Sequence, residues 1–251
     1  QLLSHNDQQS VWQAQGAEGS TVGWGGNLGD LAMASNGNSL FTCISASGNG
    51  VFLSGDSAIQ YQISPQGAVQ ISAAVNAPHG LRSAPFSPQA AALMRSLITE
   101  SRGHVLENEY NRITRRAIEA EAQVTAALSG VTLRTPFPAG NALADQLRIV
   151  ARMIAARQGL GNLRQVFMVS LGGFDVHASL VEEHPGLLRK VSYCTGCLFH
   201  CLGSFSRNGC NLFHRMVNFF AGSGLLFTSG CNRLHLIIYH VNKLQNLLER
   251  F

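Results

Sequence analysis

A chain of 251 residues has room for one large domain or two modest ones with a real core. Only 13% of it is charged, and none of its apolar runs reaches the ~18 residues of a membrane-crossing helix, which excludes an integral membrane segment. The formal net charge of +4 is confined to one end: residues 1–190 hold 13 basic and 13 acidic residues and residues 191–251 hold five and one, so the basic balance is no nucleic-acid footprint.

The chain begins at Gln1 with no signal-peptide pattern, which leads us to expect a processed chain or a fragment. Ser4 precedes His5, but neighbours in sequence rarely hydrogen-bond productively, so the two do not read as a catalytic dyad. The glycines from Gly16 to Gly29 follow no strand and precede no Gly-Lys-Ser/Thr, so they are no phosphate loop. They predict a loop feeding a short helix over Leu28–Ala34. Residues 39–63 read as β structure, with Leu40–Ile44 and Val51–Leu53 joined in a hairpin at Gly48-Asn49-Gly50. Tyr61–Ile63 and Val69–Ile71 alternate like short strands, and Pro78, Pro85 and Pro88 mark a connection.

Ser87-Pro88 is a helix start, and a broken apolar stripe from Met94 to Leu128 predicts helix interrupted at Gly103. The charges between, Arg115-Arg116 included, form a solvated face. Leu143, Leu147, Val150 and Ile154 give an amphipathic helix stopped by Gly159 and Gly161. Val166–Leu171 then reads as a strand buried on both faces, ended by Gly172-Gly173. Helix followed by buried strand is the rhythm of an α/β fold with a parallel sheet. Asp175 and His177 come directly after the turn. Ligands gather at carboxyl ends of strands in open α/β sheets, and a carboxylate plus an imidazole is a common pair for zinc, iron or manganese. The plainer reading is a capping Asp and a surface His.

At Val191 the composition changes. Five of six cysteines follow it, and alanine falls from 26 residues before it to Ala221 alone after it. Cys194-x-x-Cys197 with Cys210 and His214 is one reading, a zinc module, although Cys201 is superfluous to it and the spacing matches no standard finger. A changed reading frame is the other: the GC that opens alanine codons, read one base early, completes codons for Cys, Ser, Gly and Arg. A one-base shift of a permitted back-translation of Ser192–Cys201 allows Ala-Thr-Ala-Leu-Ala-Ala-Phe-Ser-Thr-Ala, an amphipathic helix. On that account 191–251 is an aberrant tail and no true domain, order extends over about 85–190, and Val166–Leu171 is left as an exposed edge.

Ser4-His5-Asn6-Asp7-Gln8-Gln9-Ser10-Val11-Trp12-Gln13, Gly23-Trp24-Gly25-Gly26, Val51–Gly55, Leu147–Ile154 and Val169–His177 together resemble a bacterial family, domain of unknown function 1501. Its members are similar to the alkaline phosphatase and sulfatase superfamily. The resemblance covers about residues 1–190 and implies a partial alkaline-phosphatase-like α/β core, with a mainly parallel sheet flanked by helices and the family's N-terminal strand absent. It implies export by the twin-arginine route to the periplasm, and metal-dependent hydrolysis of phosphate or sulfate esters. Asp175 and His177 match the family's Gly-Gly-x-Asp-Thr-His, a metal-ligand position, with Val176 in place of Thr. Ser4 stands where relatives place a nucleophile, and Asn27 replaces a common Arg. The metal implied is a divalent ion: zinc, calcium or manganese. The family's later Ser-Asp/Glu-Phe-Gly-Arg-Thr and Asp-His-Gly elements are not found in 191–251, so the chain as given is expected to be inactive. The alternative is a non-catalytic exported binding or structural module on the same fold, suggested by the low-charge, Gly/Ser/Asn/Gln-rich first 80 residues.

Overall fold

The computed structural model describes residues 5–14, 16, 19–69, 88–176, 178–205 and 233–241. Gln1–Gln66 with Gly130–Phe251 form one compact unit and Gly67–Ser129 a second. The first carries an α/β fold: helices flank a small sheet in which β1 (Cys43–Ser45) runs parallel to both β2 (Gln60–Gln62) and β3 (Arg164–Gly172), with β4 (Arg233–Val241) on the far side of β3, giving the order β2-β1-β3-β4. Its helices are α1 (His5–Ala14), α2 (Trp24–Met33), α5 (Ala142–Ala155) and α6 (Leu180–Phe205). The second unit holds α3 (Pro88–Thr99) and α4 (Val105–Ser129), with Gly103 between them where the sequence places the interruption.

The best-marked elements form as their patterns predict. Leu143, Leu147, Val150 and Ile154 are all buried on α5, and Val166–Val169 are buried in β3. Asn141 caps α5, its Oδ1 accepting from the N–H groups of Leu143 and Ala144 at 3.1 and 3.4 Å.

The hairpin over 39–53 does not form. Ser39–Phe41 and Val51–Leu53 are 3₁₀ turns, and β1 pairs in parallel with β2 instead, Cys43 opposite Gln60. Phe52 explains why. It is fully buried, stacked on Trp12 at 5.7 Å and edge-on to Trp24 at 4.7 Å, so burying this ring fixes 51–53 as a turn under α1 and α2. The loop after β1 is then tied to β2 through Gln60, whose Nε2 donates to Gly48 O at 3.2 Å and Asn49 Oδ1 at 2.8 Å. Val69 lies at the end of a described segment; Gln70, Ile71, Pro78, Pro85 and Ser87 lie outside the described residues.

Helix α2 is longer than Leu28–Ala34. It starts at Trp24 and buries Gly25, Gly26, Gly29 and Ala32, so the glycines are a small-residue packing face. Asp30, on the same helix, accepts from the N–H groups of Asp56, Ser57 and Ala58 at 2.8, 3.0 and 2.6 Å. Burial raises its pKa, but the three amides outweigh that and hold the carboxyl below its ordinary value. A carboxyl depressed on folding contributes stability above about pH 4 that is lost as pH falls through the folded pKa. Asp30→Asn is therefore expected to cost about 1–2 kcal/mol at pH 7, since two of the three bonds are solvent-exposed. It should also flatten the dependence of unfolding free energy on pH between about 3 and 5. An unchanged slope in a urea titration series would show that these amides do not hold the charge.

At the amino end of the sheet Asn36 joins distant segments. Its Nδ2 donates to Thr42 Oγ1 and Arg164 O, both at 2.8 Å, while its Oδ1 accepts from Leu163 and Arg164 N–H at 2.9 and 3.0 Å. One amide thus fixes where β3 begins relative to β1.

Two features run against the expected disorder beyond 191. Helix α6 passes through Val191 and continues to Phe205, burying Val191, Cys194, Leu198 and Cys201 at helical spacing. β4 (Arg233–Val241) pairs antiparallel with β3 from Arg164↔Val241 to Gly172↔Arg233, so β3 is not an edge. Among the described residues no helix is long and apolar enough to cross a membrane.

Candidate functional site at the carboxyl ends of β1 and β3

The chain leaves β1 for β2 on one side and returns as β3 on the other, both parallel to it. Such a reversal of strand order opens a crevice beyond the carboxyl ends of the two strands, the place where α/β folds bind ligands. Ala46-Ser47-Gly48-Asn49 follows β1 and Gly173-Phe174-Asp175-Val176 follows β3, which runs four residues further than β1; Ala46 N–H donates to Met168 O at 2.9 Å and fixes the end of β1 against the middle of β3. Gly48 and Gly173 both turn at φ +92°, where a side chain would be strained.

The first loop is held by hydroxyl and amide groups. Ser45 Oγ donates to Gly48 O at 2.5 Å and accepts from Ser47 N–H at 3.3 Å. On the second, Asp175 and Phe174 are half-buried, and the Phe174 ring meets the His184 ring of α6 edge-on at 5.7 Å. The strand leading to them is braced from α5: Gln146 Nε2 donates to Ser170 O at 3.0 Å and Gln146 Oε1 accepts from Ser170 N–H at 2.8 Å.

Of the residues singled out in the sequence, Asp175 sits where the strand-end argument puts it. His177 and Ser4 lie outside the described residues, as do Cys210 and His214. Among the described residues no three His, Cys, Asp or Glu side chains stand together as a metal site. Asp175 supplies one hard oxygen beyond the end of β3, and among the described residues it belongs to no group of three ligating side chains.

The cysteines behave as small core residues. Burial pushes the Cys43 thiol up to about 12, with the nearby Asp30 charge adding to it. Burial likewise raises Cys194 and Cys201. Cys194 Sγ accepts from Asn141 Nδ2 at 3.1 Å, and Thr135 Oγ1 lies 3.0 Å from His200 Nδ1. Thiols held neutral are poor nucleophiles and poor metal ligands. In the second unit, an open groove of about 480 Å³ between α3 and α4 is lined mainly by Leu97, Ile98, Leu106 and Tyr110, and no cluster of ligating groups accompanies it.

Gln146 and Asn36 are the residues that sequence reasoning missed. Gln146 had a signal: it falls within the Leu143–Leu147–Val150 stripe, and a polar group on a buried face needs a partner. Asn36 had none, because its backbone partners, Leu163 and Arg164, are 127 and 128 residues away. No family model matches the chain, and neither a curated protein nor a solved structure is significantly similar to it.

Proposed function

We propose that this chain is an incomplete member of the exported domain of unknown function 1501 family, on an alkaline-phosphatase-like core whose intact relatives hydrolyse phosphate or sulfate esters with divalent metal. Asp175 and His177 are the first two ligands in this reading, and Ser4 is the nucleophile. The observation that carries it is the position of Asp175, two residues past Gly173 at the carboxyl end of β3, beside the reversal of strand order. Asp175 brings a hard oxygen and His177 an imidazole nitrogen; a divalent ion there would polarise the ester oxygen. The chain as it stands is inactive, because its frame changes after Val191 and the later ligands are lost with it.

The test is made on the chain and on a version with the frame restored by one base near codon 191. Zn²⁺, Mn²⁺ and Ca²⁺ binding is measured by calorimetry, and hydrolysis is followed with aryl phosphate and aryl sulfate. The chain itself should bind these ions weakly and turn over neither ester, since two ligands fall short of the three or four of a working site. The restored version should bind at least about tenfold more tightly, and Asp175→Asn should abolish the gain. A restored protein with no Asp175-dependent binding and no hydrolysis rejects the hydrolase reading.

A second reading, a non-catalytic exported binding or structural module on the same fold, is favoured by the low-charge, Gly/Ser/Asn/Gln-rich first 80 residues. The rejecting outcome above is the one it expects.

A further inference from the structure

Alternate residues of β3 turn their backbone groups toward β1. Val166 N–H donates to Thr42 O at 2.7 Å, and Met168 O accepts from Ala46 N–H at 2.9 Å. Ser170 is next in that series, but β1 ends at Ser45 and the chain has already turned into the loop that follows it. Gln146 takes the place of the departed strand. A primary amide offers one acceptor and one donor in the arrangement of a peptide unit, and Gln146 satisfies both the N–H (2.8 Å) and the C=O (3.0 Å) of Ser170. The amide is presented from a rigid support, because Leu143, Leu147 and Val150 around it on α5 are all buried.

We infer that Gln146 is a positioning residue: it extends the hydrogen-bonded edge of β3 beyond the end of β1 and so sets the point from which Phe174 and Asp175 leave the sheet. β4 holds the other edge of the same residues, Ser170 opposite His235, so the strand end is gripped from both sides. The functional consequence rests on the reading of Asp175 as a ligand given above; the positioning itself does not.

Amide hydrogen exchange on the full chain tests it. Gln146→Leu keeps the apolar packing and removes both bonds, and should speed exchange over Ser170–Asp175 by about tenfold to a hundredfold while leaving Val166–Met168 unchanged. Gln146→Glu keeps the shape and can make both bonds only while its carboxyl is protonated. Its exchange over Ser170–Asp175 should match wild type near about pH 4 and exceed it increasingly as pH rises through the carboxyl titration. A residue that merely fills space gives no such pH dependence. With Zn²⁺ alone as probe, Gln146→Leu should weaken Asp175-dependent binding by about tenfold or more. Unchanged exchange in the Leu variant, or a Glu variant with no pH dependence, overturns the inference. The expected exchange pattern in a chain that binds no Zn²⁺ upholds the positioning role and rejects the ligand reading of Asp175.

Discussion

Gly26→Ala is expected to destabilise the protein by more than about 3 kcal/mol, a large share of the ~5–15 kcal/mol that holds a domain folded. A Cβ at this position would lie 2.0 Å from Ser54 O, 2.1 Å from Ser54 C and 2.3 Å from Gly55 N. All three are backbone atoms, so no rotamer change relieves the overlap, and α2 has to move off the segment that follows Phe52. Overpacking a core with an extra methyl ordinarily costs about 1–3 kcal/mol because side chains adjust. Here the adjustment breaks other contacts. Gly23 N–H donates to Ser54 O at 2.8 Å, and Phe52 is held between Trp12 and Trp24 with ring atoms 2.4 Å from where a Gly25 Cβ would be. Lifting α2 therefore uncovers Phe52, and exposing a buried aromatic side chain forfeits a further ~2–3 kcal/mol. Gly130→Ala is the control, since nothing lies within 4 Å of its added Cβ. Urea unfolding of the two variants side by side decides the matter. An unfolding free energy for Gly26→Ala within about 1 kcal/mol of wild type would mean that α2 does not rest on Ser54 and Gly55 as described.

Local and periodic signals were the legible ones. α5 announces itself because Leu143, Leu147, Val150 and Ile154 repeat at helical spacing, and β3 because five of the six residues Val166–Leu171 are apolar and Gly172-Gly173 follow them. From these two the α/β class follows, as does the place of Asp175 at a strand end. The region 39–53 misleads for a physical reason. Asn-Gly between apolar runs favours a hairpin locally, yet Phe52 and Leu53 gain more by entering the core under α1 and α2 than by pairing with β1. The glycines of α2 resemble a flexible loop until their neighbours are known; close approach of Ser54 and Gly55 is a tertiary fact that no local pattern carries. The same holds for the crevice. Gln146 bonds Ser170 across 24 residues and Asn36 bonds Arg164 across 128, and the side chains that define the sheet ends are those whose partners are remote. In the tail, composition and spacing are separate signals. A loss of alanine says nothing about the spacing of Val191, Cys194, Leu198 and Cys201, and that spacing is what keeps α6 against α5.

Ending the chain after Phe205 is expected to make it aggregate far more readily than the full chain. β4 pairs with all nine residues of β3, from Arg164 to Gly172, and the truncation removes it. The backbone groups of β3 that do not face β1 then have no partner, on a strand whose Val166, Phe167, Met168 and Val169 belong to the core. An apolar edge of this length, with no proline, bulge or inward charge between Val166 and Leu171, is a template for pairing with another copy. Gln146 protects only the groups of Ser170, so it cannot substitute for a whole strand. Light scattering after size exclusion should show the truncated chain as large soluble assemblies or lost on the column at concentrations where the full chain elutes as a discrete species. Adding a peptide of residues 233–241 in trans should recover part of the discrete species by completing the sheet edge, and a scrambled peptide of the same composition should not. A truncated chain that elutes and melts like the full one would show that β4 adds nothing to the sheet. If the peptide rescues it, the segment after the compositional break has a structural task whatever reading frame produced it, namely to close the edge beside the strand that presents Asp175.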